Sequence, residues 1–276
     1  MNVGWPIKAP SPLPGFAPTM AATLFYLALI VLTPLGALIA RASGLGVDGF
    51  LAIAVEPRVL ASLRVTFGIA SAAALVDLAV GLPIAWALTR YQFPGRRIFD
   101  AVVDLPFALP TAVAGIALST LYAPNGWFGA PLAKLGVKAA FTPWGILVAL
   151  VFVGLPFVVR TLEPVIRELE IEWEEASATL GASRWQTIRR VVMPELTPAL
   201  LTGAALAFAR GVGEYGSVIF IAGNVPYLSE ITPLLIVVKL EEYDYAGATA
   251  IAAIMLALSS VTLLVINIAQ DWTRRS

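Results

Sequence analysis

Six apolar stretches, at about residues 20–40, 65–88, 101–122, 144–159, 199–222 and 247–269, leave this chain few ways to fold. A helix needs roughly 20 apolar residues to cross the ~30 Å hydrocarbon core of a bilayer. Most of the stretches meet or approach that length. The fourth is short and gains length only by recruiting Phe141 to Pro143. Any one of them could be the buried helix of a soluble domain, but six together could not. Charged residues make up 13% of the chain and apolar residues 59%, against about 25% charged in an average soluble domain, so polar groups could not cover its surface. The first stretch is too long and too deep in the chain for a cleaved signal. The expectation is an all-α polytopic membrane protein with six transmembrane helices. A tail at 1–19 precedes one membrane domain over 20–269, and a second tail follows at 270–276.

Composition narrows the chemistry. Cysteine and histidine are both absent, which removes disulfides, thiol nucleophiles and histidine-based metal sites or proton relays. A net charge of zero argues against a nucleic-acid partner. Basic residues are unevenly placed. With the N-terminus inside, Lys8, Arg90, Arg96, Arg97, Arg160, Arg167, Arg184, Arg189, Arg190, Arg274 and Arg275 are cytoplasmic. Arg41, Arg58, Arg64, Lys134, Lys138 and Lys239 lie outside, and Arg210 falls in a membrane segment. The excess of positive charge therefore places both termini in the cytoplasm. The acidic residues Glu230, Glu241, Glu242 and Asp244 then face outward, and Glu241, Glu242 and Asp244 would repel a free oxyanion and suit the basic rim of a soluble binding protein.

The loop at 160–196 carries 12 of the chain's 36 charged residues, a third of them in 37 positions. Its pattern predicts a short helix through Trp173 and Leu180, a turn at Gly181, and a second helix from Ser183 to about Met193. Gly181 suits a left-handed helix terminus, and Ser183 with Gln186 approximates a capping box. Pro194 closes the second helix, and Thr197-Pro198 restarts the chain as N-cap and first turn of the next crossing. Small residues Ala176, Ser177 and Ala178 beside Glu174 and Glu175, flanked by Trp173 and Trp185, fit a surface that another protein grips. A solvated loop is the alternative. No phosphate-cradling G-x-x-x-x-G-K-[ST] occurs, and none of the four lysines precedes Ser or Thr. Any ATPase must therefore be a separate subunit.

Asp77, Asp104, Arg210 and Glu214 lie in or beside the apolar runs, where a charge costs roughly 2.5–3.5 kcal/mol at the bilayer centre. Arg210 and Glu214, four apart, are spaced to pair. The pair either locks its helix to neighbours or lends positive charge to an anion pathway. Pro106 and Pro110 make an uninterrupted helix improbable there. That interruption is either an entry kink or, with Thr111, Ser119 and Ser217 as hydroxyl donors, part of a substrate path or gate. The chain offers no catalytic constellation, cofactor-binding motif or metal-ligand cluster.

Residues Glu175, Ala176, Gly181 and Pro194 resemble the EAA motif of permease subunits in binding-protein-dependent ABC importers. Ser177 stands where a second alanine is common, and Val191 and Met193 replace the usual Ile and Leu. The segments 90–97, 104–115, 208–224 and 239–250 resemble, more narrowly, the T subunit of sulfate/thiosulfate importer permeases, over nearly the whole chain from about Leu24. That resemblance implies a type I ABC importer permease fold in the bacterial inner membrane, translocating sulfate or thiosulfate. It also implies a W-type permease partner, two copies of an ABC ATPase subunit that bind ATP and Mg2+, and a periplasmic sulfate-binding protein. The coupling helix maps onto roughly residues 173–181, with Trp173, Glu174, Glu175, Ala176, Ser177, Gly181 and Pro194 as contacts with the ATPase. Molybdate or tungstate is the rival substrate class, and a gradient-driven anion carrier is the rival mechanism.

Overall fold

A computed structural model describes the backbone of residues 16–273 and the side chains of 18–268. Lys8, Arg274 and Arg275, which contribute to the charge asymmetry, lie outside the described residues, as do the rest of 1–15 in the first expected tail and of 274–276 in the second. Among the described residues every regular element is helical, because backbone amides in hydrocarbon must be satisfied within their own segment.

Helix α1 (Pro18–Ser43) is a single apolar rod with a wider turn at Ala28–Leu32. The short α2 (Gly46–Ala54) leads into α3 (Pro57–Arg90). At 1.5 Å per residue, the 34 residues of α3 reach past the hydrocarbon. A turn at Gly95 precedes α4 (Arg96–Ala108), which breaks into α5 (Thr111–Tyr122). After α6 (Gly129–Lys134), α7 (Pro143–Glu168) returns, and α8 (Ile171–Thr179) crosses its end. Helix α9 (Arg184–Val212) follows, then the single turn α10 (Val218–Ile221) and α11 (Thr232–Glu241). Helix α12 (Tyr245–Thr273) completes the described chain.

Five helices are long and apolar enough to span a membrane, and α4 with α5 reaches that standard only as a pair bent by 116°, a broken sixth span or a re-entrant loop. The bend has a local cause. Leu109 precedes a proline and is driven out of the helical region, with φ −89° and ψ 134°. The two halves therefore share no hydrogen-bonded turn across Pro110.

The core is the trio α3, α7 and α9, closed by small residues. A methyl group on Gly81 would lie 2.8 Å from Val158, and one on Gly203 would lie 3.1 Å from the Val158 backbone. Ile146, Leu162, Ile166 and Leu196 are fully buried among these helices. In the most apolar window of α7, 56% of residues are buried, against 0% in α1. Lipid or another subunit must cover α1.

One expected boundary is overturned. Pro194 does not end a helix, and Thr197-Pro198 does not start one, because α9 runs unbroken from Arg184 to Val212. The reason is the five-residue π turn at Ile188–Val192, across which the Met193 amide donates to the Ile188 carbonyl. The widened turn relieves the clash of a proline ring with the carbonyl four residues back. Downstream, the Thr197 hydroxyl donates to the Met193 carbonyl at 2.7 Å.

Candidate functional site: the elbow and the broken span

The loop between α7 and α9 folds as a compact elbow. Glu172 and Glu174 occupy the first turn of α8, where carboxylates are favoured by the helix dipole. Gly181 adopts φ +82°. The Gly181 amide donates to Ala178 at 3.0 Å and the Ala182 amide to Ser177 at 3.1 Å, the paired closure of a Schellman terminus. Ser183 and Gln186 form the complete capping box, with the Ser183 amide donating to Gln186 Oε1 at 2.7 Å. The Ser177 and Thr187 hydroxyls meet at 2.7 Å and tie α8 to α9.

The elbow is also fastened to α3. Arg90, the last residue of that helix, donates from Nη2 to the Leu169 carbonyl at 3.0 Å and to Glu174 Oε1 at 3.2 Å. Glu174 thus faces its own chain. Glu175, Ala176 and Gly181 face outward, Trp173 and Trp185 are exposed, and Leu180 is 89% exposed. Exposed apolar and acidic side chains thus stand together on a rigidly capped loop. Ser177 is half-buried in the α8–α9 junction, and Pro194 lies beyond the elbow on α9.

The second site is the break. It brings Thr111, Arg210, Glu214 and Ser217 to one junction at the far end of α9. Gly216 lies so close to the Thr111 hydroxyl that a Cβ would collide with it, and a Cβ on Gly115 would strike the Ser217 carbonyl and lie 2.8 Å from Ser217 Cα. Glu214 is 2% exposed. One of its oxygens accepts from the Ser217 amide and hydroxyl, both at 2.9 Å, and the other pairs with Arg210. The pair therefore folds the turn after α9 and presents that turn to α5. Pro106 sits inside α4, Pro110 in the break, and Ser119 two turns further along α5 with its hydroxyl donating to Ile116. These three do not join the Glu214 knot. Asp77 is buried at 1% exposure, without a hydrogen-bond partner, and fills the notch left by Gly154.

At the end of the molecule opposite the elbow, the expected acidic group divides. Glu230 is not a free surface charge, because Arg58 holds it bidentately at 2.7 and 2.8 Å and it is buried. The neighbouring Thr232 amide donates to the Thr66 hydroxyl at 2.8 Å, so this loop is bolted to the start of α3. Glu241 and Glu242 are exposed. The Gly247 amide, and after it Lys239, hold the Asp244 carboxyl below the usual carboxylate range. Arg160 has a role that no motif in the sequence marks. In the sequence it is one cytoplasmic charge among several, yet it binds Asp100, Asp104 and Glu163 together.

The family described as binding-protein-dependent transport system inner membrane component matches residues 78–276. The chain belongs to this family. It is 51% identical over 253 residues to a Synechocystis sp. protein named sulfate transport system permease protein CysT, covering 92% of this chain and 88% of that one. It is 48% identical over 259 residues to the Escherichia coli (strain K12) protein of the same name, covering 94% of each. Among solved structures, a chain of the bacterial alginate ABC transporter in complex with a pentasaccharide-bound periplasmic protein superposes with a TM-score of 0.75. The identity is 18%, and the match covers 91% of this chain and 92% of that one. A chain of the inward-facing MetNI methionine ABC transporter gives a TM-score of 0.54 at 21% identity, covering 79% and 95%. The fold is that of an ABC importer permease, and this chain is a multi-pass membrane subunit of that type.

Proposed function

We propose that this permease carries sulfate or thiosulfate across the inner membrane into the cytoplasm, driven by ATP hydrolysis on separate subunits. The observation that supports this most is the elbow, whose side chains are exposed on a loop too well capped to be a passive connection. ATP and Mg2+ belong on two ABC ATPase subunits. These would grip Trp173, Glu175, Ala176 and Leu180, while Glu174 holds the elbow to α3. A W-type permease completes the membrane path and covers surface that this chain leaves bare. A periplasmic sulfate-binding protein docks at the face bearing Glu241 and Glu242. Both termini lie in the cytoplasm, consistent with the basic residues around the elbow. The sulfate assignment draws on the names of the relatives at about half identity over nine-tenths of the chain.

The mechanism follows from geometry. No bond of the substrate is made or broken, so the protein has only to alternate access. Movement of the ATPase subunits displaces the elbow and the ends of α3 and α7 that meet it, while α5 is seated on the turn beyond the far end of α9. The broken span supplies the element whose two halves change angle, since no helical hydrogen bonds cross Pro110. Arg210 and both Ser217 donors are already engaged by Glu214, so an oxyanion near the break would be met by Thr111 and the first amides of α5.

The test is uptake of radiolabelled sulfate into proteoliposomes holding the co-purified complex, with competition by thiosulfate and molybdate. ATP-dependent uptake blocked by excess thiosulfate is expected. Uptake blocked by molybdate and indifferent to thiosulfate moves the substrate to the molybdate class, and uptake driven by an ion gradient without ATP refutes the mechanism.

A further inference from the structure

The five N–H groups of the Arg160 guanidinium are all engaged, and most of them fasten one helix. Nε and Nη2 clasp the Asp104 carboxylate at 2.8 and 2.6 Å. Nη1 donates to Asp100 Oδ1 at 2.7 Å and to Glu163 Oε2 at 2.8 Å, and Nη2 also reaches the Asp100 carbonyl at 3.1 Å. A guanidinium has five donors in a fixed plane. Here that plane joins α7, which carries Arg160 and Glu163, to two successive turns of α4. Phe107 and Phe157 meet edge to face one turn further on, with centroids 5.2 Å apart. The opposite side of α4 exposes Ile98, Phe99, Val102 and Leu105. The polar attachment of α4 to the rest of this chain therefore runs through Arg160, beside apolar contacts made by that ring pair, the buried Val103 and the Phe99–Phe93 pair.

Position gives the clasp its meaning. Arg160 stands eight residues before the end of α7 at Glu168, and the link Leu169-Glu170 joins that end to the elbow. Asp104 stands four residues before the end of α4 at Ala108, beside the break. We propose that Arg160 is a positioning residue that locks α4 to α7, so that displacement of the elbow reaches the Leu109-Pro110 break as the motion of one rigid body. Arg90 joins α3 to the same body through Leu169 and Glu174. The Asp100 and Asp104 carboxylates are each about half exposed, at 49% and 48%. The lock therefore rests on bidentate geometry and on the number of bonds rather than on charge alone. Lysine, a point charge with a flexible stem, could not hold both turns of α4 at once.

The inference rests on the elbow being where the ATPase acts. Its readout is the number of ATP molecules hydrolysed per anion imported, taken with whichever oxyanion the parent complex carries. Arg160→Lys is expected to raise that ratio at least about fivefold, the lower end of typical coupling between sites, with unchanged recovery of assembled complex. A role confined to folding would lower import and hydrolysis together and leave the ratio alone. Should Arg160→Lys fail to assemble, Asp100→Ala removes one of the two α4 carboxylates that Arg160 holds and carries the same test at smaller amplitude. The chain contains no cysteine, so Asp104→Cys with Arg160→Cys supplies a unique thiol pair. Bridging it with a short bifunctional maleimide is expected to return the ratio to near the parent value. A ratio that does not rise in the variants, or that bridging does not lower, overturns the lock while leaving the importer assignment standing. A parent complex without ATP-driven uptake overturns both.

Discussion

The elbow and the broken span are both interruptions of a membrane helix bundle, built in opposite ways. The elbow is closed by neighbours in sequence: Gly181 back to Ala178, Ala182 to Ser177, Ser183 to Gln186. It exposes the side chains it uses. The break is closed from a distance, by Gly115 and Thr111 against the Glu214–Ser217 turn, and it hides the groups that hold it. A surface meant for another protein can be rigid on its own, because its partner arrives separately. A joint meant to transmit motion needs its halves held by different parts of the molecule.

That contrast is open to attack at several strengths. The largest effect is expected at Gly115. Gly115→Ala drives a methyl group into the Ser217 backbone, an overpacking that costs about 1–3 kcal/mol and should reduce import more than tenfold in an uptake assay. Import at the parent rate would show that α5 does not need its seat on the Glu214 turn. Gly181→Ala comes next. A Cβ there meets nothing within 4 Å, so the cost is the left-handed backbone alone, about 1–2 kcal/mol. Weaker recovery of ATPase subunits in pull-downs is expected, with little change in the thermal stability of the membrane core. Loss of that core stability would erase the distinction between the two sites.

Ser183→Ala removes a cap worth about 1 kcal/mol and should raise amide exchange at residues 184–187 without altering exchange in α5. A matching rise in α5 would mean the two sites are not separately built. The smallest effect is expected at Asp244. Its folded carboxyl is held low by the Gly247 amide and Lys239, so it stabilises the start of α12 above its ordinary pKa and loses that contribution as pH falls through the lower folded value. The melting-temperature gap between the parent and Asp244→Asn should be present at neutral pH and shrink below about pH 4. A gap that widens on acidification would reverse the sign of this linkage.

How much was legible in the sequence follows the same division. The spans were readable because each needs only its own run of apolar residues. The elbow was readable because Gly181, Ser183 and Gln186 act over three or four positions. The π turn at Ile188–Val192 was not, since two prolines beyond it read more simply as a helix boundary. Glu230 looked like a surface charge, and nothing near it in sequence announces Arg58, 172 residues away. Arg160 left a faint trace: Asp100 and Asp104, four apart on the amphipathic α4, ask for a common partner. Their partner lies 56 residues beyond Asp104, where single-sequence periodicity has no reach.

The central claim is that a separate ATPase grips the elbow from the cytoplasmic side. Leu180→Cys would be the sole thiol in this chain, on a side chain 89% exposed. With a photoactivatable thiol-linked probe on it, irradiation of the assembled complex should yield an adduct with the ATPase subunit, weakened or shifted when ATP is added. Labelling of that thiol by an impermeant reagent from outside intact cells, or adducts that never include an ATP-hydrolysing subunit, would contradict the account.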